Sequence, residues 1–278
     1  MSFRCTPAPK DPVHTLAFEP WKMAVAPFQV SPRTWYVSGQ SWVGAYLIDT
    51  GDGCILLDTA IPESLYLLVD SVYRTGHTMG DIKMILLSHA HFDHIGGAAA
   101  LQRLTGAPVY MSREDTLFME KVPGETLVLD PDSHAQAFAV DRFYDDAAPI
   151  RLGEVEIQTV LTPGHTIGCT SFFWKEKNPV TGDVYSVAMH GGVGANTMND
   201  QYYAASAYLT PDLRDRFLND ADRIAAMPVD IALPSHPNQI EILDKAGTYT
   251  HESQPYLDST VWADFIRERV RQVRALMK

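Results

Sequence analysis

The chain has 278 residues, 46% of them hydrophobic, and its 22 basic and 34 acidic side chains give a net charge of −12. That is enough apolar material for a sizeable core in one large domain or two small ones. The acidic balance argues against a nucleic-acid partner, which needs a basic footprint, and no stretch approaches the roughly 20 apolar residues of a membrane helix.

Cys5, Cys54 and Cys169 are too few and too scattered for a disulfide framework or a zinc ribbon. Cys54 and Cys169 read as small buried apolar residues. The first 23 residues carry Pro7, Pro9, Pro12 and several charges without the apolar segment of a secretory signal. As written, the chain is expected to be cytoplasmic; removal of a leader would make it periplasmic or secreted.

The early part reads as strands at Thr34–Val37, Gly44–Asp49 and Cys54–Leu57. Thr50-Gly51-Asp52-Gly53 supplies the positive-φ residues of a hairpin turn. Apolar Leu65, Leu68, Val69 and Val72 recur at helical spacing within Pro62–Thr75. Ile82–Leu87 reads as a strand buried on both faces, Ala98–Leu104 as a short helix ended by Gly106, and Val109–Met111 as another strand. Residues 121–148 show scattered Pro, Asp and Gly with weak periodicity, which predicts a long loop.

Strands resume at Ile150–Thr162 and Thr170–Trp174, followed by a turn at Asn178–Asp183 and a strand at Val184–Met189. Pro211–Ala226 and Ser259–Met277 read as helices, the second with Val261, Phe265, Val270 and Leu276 toward a core. Pattern alone reaches α/β or α+β and no further.

The chemistry concentrates in Ser88-His89-Ala90-His91-Phe92-Asp93-His94, directly after the apolar run. Imidazole and carboxylate are the ligands of catalytic zinc, which keeps an open position. In an extended segment His89 and His91 point the same way, and a turn at Phe92 lets Asp93 and His94 face a second metal. Two further histidines sit in rigid loops after strand-like runs. They are His165 in Thr162-Pro163-Gly164-His165-Thr166 and His236 in Pro234-Ser235-His236-Pro237. His14, His77 and His251 lie in polar contexts and read as surface residues, and His134 lies in a loop that can overhang the site.

This order of motifs (HxHxDH, TPGHT, then a loop His after a late strand) resembles the metallo-β-lactamase superfamily. Trp42–Ala60 (WVGAYLIDTGDGCILLDTA), Ile82–Gly106 and the tail from Gln254 to Lys278 are most similar to its third subclass, B3. The resemblance implies one domain over residues 1–278, folded as a four-layer αββα sandwich. Its two αβ halves would cover roughly residues 20–145 and 146–278, with a metal site at one edge between the sheets. It implies two Zn²⁺ ions, the first on His89, His91 and His165, the second on Asp93, His94 and His236.

The activity implied is opening of a β-lactam amide by a metal-bridging hydroxide, with Asp93 as the catalytic carboxylate that orients the nucleophile. The partner is a small-molecule substrate, with no nucleic acid or membrane; oligomeric state is not legible. The alternative is a metallo-hydrolase of another small acyl compound, a lactone or a thioester. That alternative rests on the lack of a leader and on one departure. Where the third subclass usually carries an Asp-Ser pair, this chain has His190-Gly191. His190 and Gly191 are therefore the expected substrate-binding pair, the imidazole donating to the substrate carboxylate, unless His190 only packs behind the metal ligands. Thr181-Gly182-Asp183 resembles the bridging-carboxylate motif of thioesterases and lactonases, but its position before a strand favours a turn.

Overall fold

The computed structural model describes residues 15, 18–127 and 136–277. His14 and His134 lie outside them, as does part of the expected long loop.

The first sheet has seven strands in chain order: β1 (Phe28–Ser31), β2 (Thr34–Tyr36), β3 (Tyr46–Asp49), β4 (Cys54–Leu57), β5 (Ile82–Leu86), β6 (Val109–Met111) and β7 (Arg142–Phe143). Strands β1 to β4 pair antiparallel, and β4 to β7 pair parallel. The parallel joins need crossovers. Three helices lie on these crossovers: α1 (Leu65–Arg74), α2 (Phe92–Ile95) and α3 (Ala98–Thr105). A fourth, α4 (Arg113–Lys121), follows β6.

The second sheet holds β8 (Ile150–Leu152), β9 (Val155–Leu161), β10 (Thr170–Lys177), β11 (Val184–Met189) and β12 (Ile231–Leu233), in the order β12-β11-β10-β9-β8. Between β11 and β12 run α5 (Asp200–Ala205) and α6 (Asp212–Ala225), and α7 (Val261–Leu276) closes the described chain.

Strand periodicity sorts the side chains into layers. In β4, Ile55 and Leu57 face the second sheet while Cys54 and Leu56 face α1 with Leu68 and Val72. In β10, Phe172 and Trp174 face the first sheet, and Phe173 packs outward against the α6 and α7 cluster around Trp262. Met189 and Leu233 point inward from β11 and β12, while Ala188 and Ala232 point outward. The result is the expected four-layer αββα sandwich. Each fully buried Leu, Ile or Phe contributes about 1.5–3 kcal/mol, and such residues fill both the layer between the sheets and the layers beneath the helices.

Several expectations are corrected. The expected strand Ile150–Thr162 is a hairpin, β8 turning into β9 at Gly153, whose φ is +51°. Lys83 is exposed, so the start of β5 is not buried on both faces. Strand β7 lies inside the expected loop at residues 121–148, and the polar helix α4 precedes it. Leu276 is 44% exposed; Trp262, Phe265, Ile266 and Val273 form the buried face of α7. His77 is half-buried, edge-on to Trp35 at 5.4 Å between ring centres, and His251 is half-buried beside Tyr249.

Candidate metal centre

The site gathers at the ends of β5, β9, β11 and β12, where loops from both sheets meet. The extended run expected after β5 is broken by bends at Ser88, Ala90 and His91, although His91 itself has extended dihedrals (φ −107°, ψ 147°) where it caps α2. His89 and His91 still reach the same cluster, and the helical turn then brings Asp93 and His94 round. His165 comes from the turn between β9 and β10, and His236 follows β12. His89, His91 and His165 offer donor atoms within 4.8 Å of one another, and so do His89, Asp93 and His94. His236 joins through Asp93, its Nε2 3.3 Å from Asp93 Oδ2; His94 Nε2 is 3.5 Å from the same oxygen.

Outer hydrogen bonds fix which nitrogen faces inward. His94 Nδ1 donates to Asp58 Oδ2 at 2.7 Å, His236 Nδ1 to the Trp42 carbonyl at 2.8 Å, and His165 Nδ1 to the Gly194 carbonyl at 2.9 Å. Each bond leaves the Nε2 of that ring as a lone pair turned toward the cluster. His91 Nδ1 and His165 Nε2 face each other at 2.9 Å. The Nε2 atoms of His89, His91 and His94 are buried with no hydrogen-bond partner. Buried acceptors without donors are costly, so lone pairs and a carboxylate converging on one space call for a cation. The donor set therefore fits a metal, and imidazole with carboxylate suits zinc among others.

Electrostatics favour the metal-ligating forms of His89, His91, His165 and Asp93, while His94 is held toward its protonated form. Burial holds His89 and His165 well below the ordinary imidazole range and brings His91 to about 4, so all three are neutral near pH 7. For His94, burial pulls down, but the carboxylates of Asp93 and Asp58 outweigh it and raise the pKa. For Asp93, burial pushes up, and His94 and His236 outweigh it, holding the carboxyl ionised.

Two buried carboxylates that the sequence reading missed organise the loops. Asp58, just past β4, accepts from Ser88 N–H and Ser88 Oγ–H at 2.7 Å each, besides His94. Its φ of +61° is unusual for a side-chain-bearing residue and is held by those bonds. Asp115 on α4 accepts from Ala90 N–H at 2.8 Å, Gly168 N–H at 2.7 Å and Thr166 Oγ at 2.7 Å, tying the His89–His94 loop to the His165 loop. A buried acid ending an apolar strand was a legible signal for Asp58. Asp115, within a polar helix, gave none.

The expected substrate-binding pair is not in the cleft. His190 is fully buried between Phe217 and Trp262, ring centres 6.3 and 6.4 Å away, and its Nδ1 accepts from Gly192 N–H. It points outward because β11 alternates: Met189 faces the first sheet, so the next side chain faces the helices. Gly191 presses on Thr170, where a Cβ would lie 2.0 Å from the carbonyl oxygen. Its backbone instead hydrogen-bonds His89. Gly194 is needed for approach to His165, whose Cε1 would lie 2.6 Å from an added Cβ. Asp183 is exposed in the turn before β11, with Thr181 Oγ donating to its Oδ2 at 2.7 Å, as a turn residue does.

The cleft above the cluster measures about 280 Å³ and exposes His89, His91, Asp93, His165 and His236. Its remaining wall comes from Trp42, the loop 192–196, Ser235, Asn238 and Gln239, and from Arg269 and Gln272 of α7. Arg269 Nη1 donates to Gln272 Oε1 at 2.9 Å and Nη2 to the Gln239 carbonyl at 3.3 Å. No described helix is long and apolar enough to cross a membrane.

A model of the metallo-beta-lactamase superfamily matches residues 43–236, and the chain belongs to that superfamily. It is similar in structure to the FEZ-1 metallo-beta-lactamase of Legionella gormanii, with a TM-score of 0.79 and 25% identity, covering 91% of this chain and 95% of that one. BJP-1, a subclass B3 metallo-beta-lactamase of Bradyrhizobium japonicum, matches with a TM-score of 0.74 and 26% identity over 94% of this chain and 99% of that one. The hydroxyacylglutathione hydrolase GloC of Haemophilus influenzae is 32% identical over 117 residues, 41% of this chain and 53% of that protein. An N-acyl homoserine lactonase of Bacillus thuringiensis is 27% identical over 157 residues, 47% of this chain and 57% of that protein. The chain thus spans little more than half the length of these two curated relatives.

Proposed function

We propose that the protein is a dinuclear zinc hydrolase that opens the amide bond of β-lactam rings. The observation that carries the metal centre is the convergence of inward-facing imidazole lone pairs on the Asp93 carboxylate. In this reading His89, His91 and His165 hold one zinc, and Asp93, His94 and His236 hold the other. Two bound zinc ions supply Lewis acidity toward the carbonyl oxygen and lower the pKa of water to about 7.

The rest falls to the chain's own side chains. Asp93, held ionised, accepts a hydrogen bond from the attacking water and orients it toward the ring carbonyl. The buried His89 and His91 leave one open face, on the cleft, through which substrate enters. With His190 turned away, Arg269 is the cation in the cleft lining, and it takes the substrate carboxylate while Gln272 and the Gln239 carbonyl hold its guanidinium. An Arg side chain there is always charged and offers several donors.

The β-lactam reading rests on likeness over more than nine-tenths of both chains to two metallo-β-lactamases. Opening of a lactone or thioester is the second reading, favoured by the curated relatives with those names. The deciding assay is parallel hydrolysis of a chromogenic cephalosporin, an acyl-homoserine lactone and a glutathione thioester, with and without chelator. The β-lactam reading expects the highest kcat/KM on the cephalosporin, abolished by chelation. A kcat/KM at least about tenfold higher on either of the other two would replace it.

A further inference from the structure

A second cluster of metal-ligating side chains lies away from the cleft, where the β3–β4 hairpin meets the loop after α1. Asp49, Cys54 and His77 place a carboxylate oxygen, a thiol sulfur and an imidazole nitrogen within 4.8 Å of one another. Asp49 and Cys54 are partners across the antiparallel pair, so the hairpin itself sets their spacing. His77 is brought to them by the chain that leaves α1, and its Nε2 lies 3.8 Å from Asp49 Oδ2.

The tautomer of His77 is fixed locally. Thr75 Oγ donates its single proton to the Val72 carbonyl at 2.7 Å, so toward His77 Nδ1, 3.0 Å away, it can only accept. Nδ1 therefore carries a ring proton, and Nε2 is the nitrogen turned toward the Asp49 carboxylate. Asp49 is steadied through its other oxygen, which accepts Gly51 N–H at 2.9 Å. A carboxylate, an imidazole nitrogen and a thiol gathered together repeat, with a softer donor set, the logic of the histidine cluster. Donors around tetrahedral zinc sit about 3.3–3.6 Å apart, from Zn–N and Zn–O near 2.1 Å and Zn–S near 2.3 Å. The His77–Asp49 separation is close to that already.

We propose that Asp49, Cys54 and His77 form a second, separate binding site for a thiophilic divalent metal such as zinc. On binding, the Cys54 sulfur loses its proton to solvent as the metal–sulfur bond forms, and the fourth position is left to water. Thiolate with imidazole excludes magnesium and calcium, which take oxygen ligands. The Asp49 and His77 side chains are 38% and 19% exposed, which gives an ion access, while Cys54 is buried beneath them. The bound metal would clamp the β3–β4 hairpin to the end of α1.

The test uses cobalt(II) titrated into the metal-free full-length protein. The catalytic ligand set contains no thiol, so a sulfur-to-cobalt charge-transfer band in the near ultraviolet reports this site alone. The band is expected in the wild type and in Cys5→Ala and Cys169→Ala, and it disappears in Cys54→Ala and falls in His77→Gln. The visible d–d absorption of cobalt on the histidine cluster remains in Cys54→Ala, showing that the variant is folded. No charge-transfer band in the wild type, or one that survives Cys54→Ala, overturns the proposal. A thiolate band without β-lactam hydrolysis would leave this site standing while the proposed function failed.

Discussion

Asp58→Asn separates the geometry of the centre from its ligand list. Oδ1 of Asp58 accepts the Ser88 backbone N–H, and Oδ2 accepts both Ser88 Oγ–H and His94 Nδ1–H, each at 2.7 Å. An Asn amide has only one acceptor oxygen. Its nitrogen cannot take the Oδ1 position, because the backbone donor there cannot turn. At the Oδ2 position it meets His94 Nδ1, which can accept only if the ring proton moves to Nε2. That move removes the lone pair His94 offers the metal. The φ of +61° is no obstacle, since Asn tolerates the left-handed region well. One hydrogen bond to a charged group contributes about 1.5–3 kcal/mol, and loss of such an outer partner lowers metal affinity or activity about 10- to 100-fold. The two ranges agree. Competition with a chromophoric chelator should therefore show zinc bound about 10- to 100-fold more weakly, with kcat/KM on a cephalosporin falling in step. Zinc affinity within about twofold of wild type, at unchanged Tm, would refute the claim that Asp58 sets the His94 tautomer.

His190 is expected to act on acid stability rather than on substrate. Burial lowers its pKa to about 3, against about 6.5 when unfolded. The unfolded chain therefore takes the proton first, and stability falls as pH drops from about 6.5 toward about 3. At pH 5 this contribution is about 2 kcal/mol. His190→Phe should shrink the stability lost between pH 7.5 and pH 5 by that amount in urea unfolding, with KM unaltered; an unchanged acid loss would show that the imidazole is not kept neutral. Arg269→Gln should raise KM for carboxylated β-lactams roughly 10- to 150-fold, the equivalent of about 1.5–3 kcal/mol, with kcat little changed. An equal rise on an uncharged lactone would assign Arg269 to packing instead.

Much of the candidate site was legible because its histidines and Asp93 lie in short runs whose local geometry is nearly forced. Close spacing in sequence around the start of α2 leaves His89, His91, Asp93 and His94 few other directions, and the Pro/Gly turns carry His165 and His236 to the same edge. The strands that pack between the layers were legible from their apolar runs. What periodicity could not give is where a non-adjacent side chain ends up. Asp115 reaches its three partners across 25 to 53 residues of sequence, and nothing local marks it. The misplacement of His190 has a simpler origin. The resemblance places His190-Gly191 where the third subclass usually carries an Asp-Ser pair, which implies a role in the cleft, but strand alternation decides the face, and Met189 pointing inward forces His190 outward. In α7, the choice of Leu276 over Trp262 and Ile266 assigned the apolar stripe to the wrong turn. Arg269, on the rim of that stripe, was hidden among the charged residues of an ordinary amphipathic helix.

In the proposed function, six side chains hold two zinc ions for hydrolysis of a β-lactam. This is tested most directly by titrating zinc into metal-free Cys54→Ala protein, which lacks the distal thiol, while recording initial rates of cephalosporin hydrolysis. The rate is expected to saturate at two equivalents of zinc, and His236→Ala to lower the saturation point to one with most of the rate lost. A rate that saturates at one equivalent in the parent protein, or no hydrolysis at any zinc level, would contradict the proposed function.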